Sequence, residues 1–90
     1  MELDEKTLAD IEVAISEVRM RYILQRDEIG YETEMWDNGR INLMIVVPSR
    51  ISHKVCTSCI SVHFSKWFKD HYPDSIISHI SFTDRATLGQ

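Results

Sequence analysis

Apolar residues recur every three or four positions along the first part of the chain, at Leu8, Ile11, Ile15, Val18 and Tyr22. This spacing lines one face of an α-helix. Asp4 can cap the first free N–H groups of that helix. Gly30 can end it, because glycine accepts the left-handed backbone conformation, although the helix can also fray near Gln25. The pattern therefore predicts an N-terminal amphipathic helix that begins near Asp4.

The following segment alternates between two kinds of residue, with Tyr31, Thr33 and Met35 on one side and Glu32 and Glu34 on the other. Alternation with a period of two is typical of a half-buried strand. Asn38-Gly39 then favours a two-residue hairpin turn of type I′. The return strand, Ile41–Val47, is apolar on both faces by its end, which predicts a central strand covered at least partly on each side. Pro48 ends it, because proline cannot donate to the strand ladder.

A second helix is predicted from about Ser52 to Tyr72, capped by Ser49 or Ser52 and ended by Pro73. At 100° per residue, one stripe is expected to face the core, made of Cys56, Ile60, His63, Phe64, Trp67 and His71. Val55, Cys59 and Val62 extend the apolar surface around a second flank. The last element is a strand over 76–83, in which one face carries Ile76, Ser78, Ile80 and Phe82 and the other carries Ile77, His79, Ser81 and Thr83.

These elements predict a single α+β domain over residues 1–90, in the order α-β-β-α-β. We expect a three-stranded mixed sheet with the helices mainly on one face, and a loose tail at about 84–90. A three-stranded sheet has two open edges, and open edges invite pairing with another strand. The sequence therefore also predicts a homodimer.

Composition narrows the class of protein. Of the 90 residues 43% are hydrophobic and 27% are charged, which is typical of a globular domain. The acidic start of the chain differs from a secretory signal, and no apolar run approaches the ~18 residues of a membrane span. Two cysteines without an export signal predict a cytoplasmic protein in which a structural disulfide is not expected. No membrane partner is predicted.

The two cysteines, Cys56 and Cys59, form the one motif of this chain that resembles a chemical site. A C-x-x-C pair at the start of a helix is typical of redox proteins, but the predicted helix places both cysteines in its interior. Zinc is a second interpretation, since His53 and His63 flank the pair at ligand-like spacing. Four side chains that radiate from one helix do not converge on a metal ion. The favoured interpretation is therefore that the cysteines are small buried apolar residues, and we predict no metal, no cofactor and no catalytic residue.

Two surfaces suggest binding. Aromatic residues are enriched at protein interfaces, and the candidates here are Trp36, Trp67, Phe68 and Tyr72. Basic residues are concentrated in the second half of the chain, and those that could form a phosphate-binding patch are Arg40, Arg50, Lys54, Lys66 and Lys69. Residues 1–38 carry eleven acidic and four basic side chains, whereas residues 39–90 carry three acidic and six basic ones.

From these observations we predict a non-enzymatic interaction domain, a small accessory or regulatory protein that binds a protein partner. Two alternatives stay open. One is a nucleic-acid-binding protein that uses the basic patch. The other is a metal or redox site at Cys56 and Cys59.

Overall fold

The computed structural model describes residues 3–88. Its elements are α1 (Glu5–Tyr22), a 3₁₀ turn (Arg26–Glu28), β1 (Gly30–Met35), β2 (Ile41–Val47), α2 (Ser49–Ser52), α3 (Thr57–His71), β3 (Ile77–Asp84) and α4 (Arg85–Leu88). The α+β class and the α-β-β-α-β order of the main elements are confirmed, with α2 and α4 as two additional short helices. The predicted loose tail is corrected, because Asp84 ends β3 and residues 85–88 are helical. The rest of that tail lies outside the described residues.

The three strands form one mixed sheet in the order β1-β2-β3, with β2 antiparallel to β1 and parallel to β3. The prediction of β2 as the central strand is confirmed. All but one of its residues are buried, which explains why its sequence is apolar almost throughout. The chain returns from β2 to its parallel neighbour β3 by way of α2 and α3.

The core lies between one face of this sheet and the helices α1 and α3, as predicted. It contains Ile11, Ala14, Ile15 and Val18 of α1, Ile41, Leu43, Ile45 and Val47 of β2, Phe64 and Phe68 of α3, and Ile77, Ile80 and Phe82 of β3. The side chain of Asp4 caps α1 by accepting a hydrogen bond from the N–H of Thr7 at 2.8 Å, so the predicted start is confirmed.

The helix α1 ends at Ile23, so the predicted end at Gly30 is wrong and the alternative end near Gln25 is within two residues of the observed one. Ile23 has φ 55° and ψ 59°, the left-handed conformation, and its side chain is 85% exposed. The chain turns here so that Leu24 can enter the core, and the Leu24 N–H donates to Arg19 O at 3.0 Å. Gly30 instead opens β1. A β-branched residue in this conformation is strained, since its Cβ approaches the following carbonyl oxygen.

Replacing Ile23 with glycine is expected to stabilise the protein by about 1 kcal/mol, because glycine removes the steric cost of the left-handed backbone. The matched control is Met20→Gly, three residues earlier in α1, at another exposed apolar position. There glycine is expected to cost about 1 kcal/mol, since the backbone is helical. Urea unfolding of both variants measures the two changes. Equal signs would contradict the assignment of strain to Ile23.

The hairpin between β1 and β2 is confirmed, but its turn is not of type I′. Gly39 is the residue with positive φ, at 80°, whereas Asn38 does not have one. The N–H of Gly39 donates to Trp36 O at 3.0 Å and the N–H of Trp36 to Arg40 O at 2.8 Å. These bonds close a three-residue loop in which a type I turn is followed by a left-handed glycine.

The strand β1 is more exposed than its alternating pattern predicts. Tyr31 and Met35 were expected to face the core, and they are 40% and 50% exposed. They lie on the same face as the buried residues Ile45 and Ile41, with which they pair. Neither residue belongs to the core cluster. The edge strand β1 is therefore a part of the sheet that the helices leave uncovered.

The predicted second helix begins about five residues later than expected, at Thr57, because residues 53–56 are not helical, and the short helix α2 precedes them. Its buried stripe is also rotated from the predicted one, since Ser61, Phe64 and Phe68 are buried, whereas three of the expected members are exposed: Cys56, His63 and His71. The reason is that α3 packs along the open side of β3. The Oγ of Ser65 accepts from the N–H of Ile80 at 2.9 Å and donates to its carbonyl at 3.1 Å, and Ser61 donates to the same carbonyl.

A bulge sets which face of β3 is buried. Ile77 pairs with Ile41 but His79 pairs with Asn42, so Ser78 is an extra residue. The extra residue reverses the alternation at the start of the strand. Ile77 is therefore buried, whereas Ile76, which was expected to share a face with Ile80, is 39% exposed.

Candidate redox site

The C-x-x-C motif lies at the N-terminus of α3, where Cys56 is the N-cap residue and Cys59 belongs to the first turn. The two sulfur atoms are bonded to each other as a disulfide, and both residues are exposed. Three expectations from the sequence are thus corrected: the cysteines are not buried, they are not in a helix interior, and they are paired. The physical reason is that the backbone leaves the helical conformation at Cys56, which has φ −77° and ψ 101°.

The surroundings of Cys56 favour a negative charge on its sulfur. The N–H of Cys59 donates to Cys56 Sγ at 3.3 Å, and the positive end of the α3 dipole points toward the same atom. The first turn of α3 contains no acidic residue. His53 and Lys54, both exposed, precede the motif. An N–H donor and the positive end of a helix dipole thus lie at the Cys56 sulfur, an arrangement that is typical of reactive cysteines.

A polar cavity of about 290 Å³ opens beside the motif, lined in part by Thr57, the residue between Cys56 and Ser58. The other lining residues are Ser52, His53, Phe82, Thr83, Asp84 and Thr87. The hydroxyl groups that line this cavity can form hydrogen bonds with polar groups of a polypeptide.

Asp84 is the charged residue of this cavity, and it is buried. Its carboxylate accepts from the backbone N–H of Thr87 at 2.7 Å and from Ser52 Oγ at 2.7 Å. These hydrogen bonds, the one from Thr87 above all, lower the pKa of Asp84 to about 2, so the carboxylate is ionised at neutral pH. His53 adds a smaller attractive charge.

No site role is predicted for Asp84 from the sequence. A usable signal was present, since Asp84 stands three residues before Thr87, a capping pattern at the start of a helix. The predicted strand ends at residue 83, so Asp84 is assigned to the loose tail that follows it.

The structure does not bring the four candidate zinc ligands together. His53 is the C-cap residue that follows α2, and His63 lies beyond the first turn of α3. Within residues 3–88, no group of three or more His, Cys, Asp or Glu side chains is placed to hold a metal ion.

The four aromatic candidates for a protein interface have different positions. Phe68 is 1% exposed and belongs to the core, so it presents no surface to a partner. Trp67 and Tyr72 are half-buried and pack against that core. Trp36 is exposed, stacks on the His79 ring at 5.7 Å and donates from Nε1 to Glu34 Oε1 at 2.9 Å.

The five basic candidates do not form one patch. Arg40 donates to the carbonyl of Ser75, and Arg50 forms an ion pair with Glu28. The three lysines are exposed, but Lys54 precedes the N-terminus of α3 and the other two, Lys66 and Lys69, lie near its C-terminus. These ends are separated by the ~22 Å length of a fifteen-residue helix.

Within the part of the chain that the structure describes, no helix has the length and apolar character needed to cross a membrane. Comparisons of the chain with protein-family models, with curated proteins and with solved structures gave no match.

Proposed function

We propose that this protein exchanges electrons with thiols and disulfides through Cys56 and Cys59. The observation that carries the proposal is the exposed Cys56–Cys59 disulfide at the first turn of α3. Such a pair can be reached by a second molecule, and the helix terminus stabilises the thiolate that forms when the bond opens. A cytoplasmic location, where small thiols keep such a pair reducible, belongs to the same proposal.

Cys56 is the nucleophile in this proposal, because the N–H of Cys59 and the helix dipole both act on its sulfur. In the reduced protein, the Cys56 thiolate attacks one sulfur of a substrate disulfide. A Cys56–substrate bond forms, and the other substrate sulfur leaves as a thiolate that takes a proton from water. Cys59 then loses its proton to water and attacks Cys56 Sγ, which restores the Cys56–Cys59 bond and releases the second substrate thiolate. The protein gives up two electrons, and the substrate disulfide becomes two thiols.

The polar cavity beside Thr57 supports a peptide substrate. Its lining includes three threonines, of which Thr57 belongs to the motif, and the ionised Asp84, whose two oxygens are held by Ser52 and Thr87. In the proposed reaction, polar groups that flank a substrate disulfide bind here while the sulfur atoms exchange.

The test combines reactivity with trapping. Reduced protein should react at Cys56 with iodoacetamide about threefold or more faster than glutathione does at pH 7, because more of its thiol is ionised. The variant Cys59→Ser should accumulate a Cys56 adduct with oxidised glutathione, visible by intact mass, whereas Cys56→Ser should form little adduct. The wild-type protein should accelerate the reduction of a peptide disulfide by dithiothreitol.

Ser58 supplies a matched pair of control variants in the same turn of α3. Ser58→Asp places a negative charge at the helix N-terminus and should slow the alkylation of Cys56, whereas Ser58→Ala should leave it unchanged. Equal adduct formation by the two cysteine variants, or no acceleration by the wild-type protein, would remove the proposal.

Protein binding by an accessory or regulatory domain and nucleic-acid binding both stay predictions. The separation of the five basic residues gives the nucleic-acid prediction no support. Protein binding has a structural feature in its favour, the uncovered margin of the sheet at β1.

A further inference from the structure

The two edges of the sheet differ in how far they are covered. At β3, the hydroxyl groups of Ser61 and Ser65 occupy the outward N–H and carbonyl of Ile80. At the other edge, β2 is the only strand within residues 3–88 that pairs with β1. An edge with free backbone groups is a template for another strand.

The hydrogen bond from the Trp36 N–H to Arg40 O fixes which groups of β1 are free. Antiparallel ladders alternate between residues that bond to the neighbour and residues that point away from it. Counting back from Trp36 in steps of two, Glu34 and Glu32 bond to β2. The backbone N–H and carbonyl groups of three residues therefore point outward: Tyr31, Thr33 and Met35.

The same strand presents different chemistry on its two faces. Tyr31 and Met35 give the helix-side face two exposed apolar side chains. A cavity of about 390 Å³ beside Tyr31 is lined by Ile15 and Ile29 and by the charged residues Glu12, Arg19 and Arg26. Glu32 and Glu34, both exposed, lie on the opposite face. A strand that pairs with β1 therefore meets Tyr31 and Met35 on one face and two acids on the other, with the mixed apolar and charged lining of the cavity at the Tyr31 end.

A second copy of this chain does not suit the edge. Outward residues of one β1 must pair with outward residues of the other, and three antiparallel registers align at least two such pairs. In these registers Glu32 faces Glu34, Glu32 faces Glu32, or Glu34 faces Glu34 of the second copy. Like charges directly opposite each other destabilise a strand pair.

We propose that β1 binds an extended segment of another protein in which basic residues alternate with apolar ones. The segment adds a fourth strand to the sheet, with main-chain hydrogen bonds to Tyr31, Thr33 and Met35. Its lysine or arginine side chains pair with Glu32 and Glu34, and its apolar side chains cover Tyr31 and Met35. This proposal is independent of the chemistry at Cys56 and Cys59.

The test uses a fluorescently labelled eight-residue peptide in which lysine alternates with valine and threonine. Anisotropy should show saturable binding, and amide hydrogen exchange should slow at Tyr31, Thr33 and Met35 when the peptide is bound. The variant with both Glu32→Lys and Glu34→Lys should bind at least about tenfold more weakly, because two attractive pairs become repulsive. A peptide with glutamate in place of lysine should bind this variant and not the wild-type protein.

A proline pair separates backbone pairing from charge. Thr33→Pro removes an outward N–H, which an edge strand tolerates, and should abolish binding while the unfolding midpoint stays close to wild type. Glu32→Pro removes a hydrogen bond of the β1–β2 ladder and should lower that midpoint. Unchanged peptide affinity in the charge-reversed variant, binding without slower exchange at the three amides, or self-association through β1 in sedimentation would overturn the proposal.

Discussion

Replacing Phe68 with alanine is expected to cost about 3–5 kcal/mol of the free energy of unfolding, because the change leaves a large cavity in the core. The Phe68 ring is 1% exposed, stacks on Tyr72 at 5.0 Å between ring centres and lies 6.1 Å from the Trp67 ring. A domain of this size has a stability on the order of 5–10 kcal/mol. The variant should therefore unfold at a much lower urea concentration and be partly unfolded near 37 °C.

The same variant decides whether Phe68 serves the core or a partner. An interface residue would change partner binding and leave the urea midpoint nearly unchanged. Val62→Ala is the matched control, since Val62 is 69% exposed on the same helix and its change should lie within about 0.5 kcal/mol. Phe68→Leu keeps most of the volume and should cost less than alanine. A loss below about 1 kcal/mol for Phe68→Ala would contradict the core assignment.

The sequence could predict the elements whose signals are local and agree with one another. The cap at Asp4 and the position of β2 follow from side-chain chemistry and from hydrophobicity over a few neighbouring residues. The hairpin at Asn38-Gly39 was also predictable, but its turn type was not. That choice depends on whether Trp36 and Arg40 form the closing hydrogen bonds, which the dipeptide alone does not decide.

The arrangement of α3 could not be predicted, because it depends on a contact between residues far apart in the chain. Serine in a helix suggests the solvent side, and the aromatic spacing placed Trp67 and His71 in the buried stripe. The edge of β3 instead requires hydroxyl groups at Ser61 and Ser65, which rotates the helix around its axis. The bulge at Ser78 is equally non-local, since it is a feature of the pairing with β2.

The candidate site was likewise predictable where its signal is local and not predictable where it depends on the rest of the fold. The sequence identifies Cys56 and Cys59 as a candidate site, because their C-x-x-C spacing is one that redox proteins use. Their chemistry depends on where the helix begins, and the sequence indicated an earlier start at Ser52. The break over residues 53–56 moves the cysteines to the helix terminus, where the dipole and the Cys59 N–H act on Cys56.

Removing the hydroxyl group of Ser65 should destabilise the protein although alanine is the better helix former. The Ser65 Oγ is the acceptor for the N–H of Ile80, a residue that is 1% exposed, and alanine leaves that N–H without a partner. An unsatisfied buried group costs about 1–3 kcal/mol. With Ser61→Ala added, the Ile80 carbonyl also loses its two donors, and the double variant should lose about 2–4 kcal/mol.

The control for this prediction is Ser16→Ala, an exposed serine in the interior of α1. Helix propensity alone predicts a small gain of up to about 0.5 kcal/mol at both positions. Opposite signs at Ser16 and Ser65 in urea unfolding would thus assign the loss to the edge of β3. Native-state hydrogen exchange gives a direct measurement, because the Ile80 amide should exchange slowly in the wild-type protein and much faster in Ser65→Ala. If the Ile80 amide stays protected in the variant, a group other than Ser65 protects it from exchange. The serine hydroxyl groups would then not be what distinguishes the β3 edge from the β1 edge.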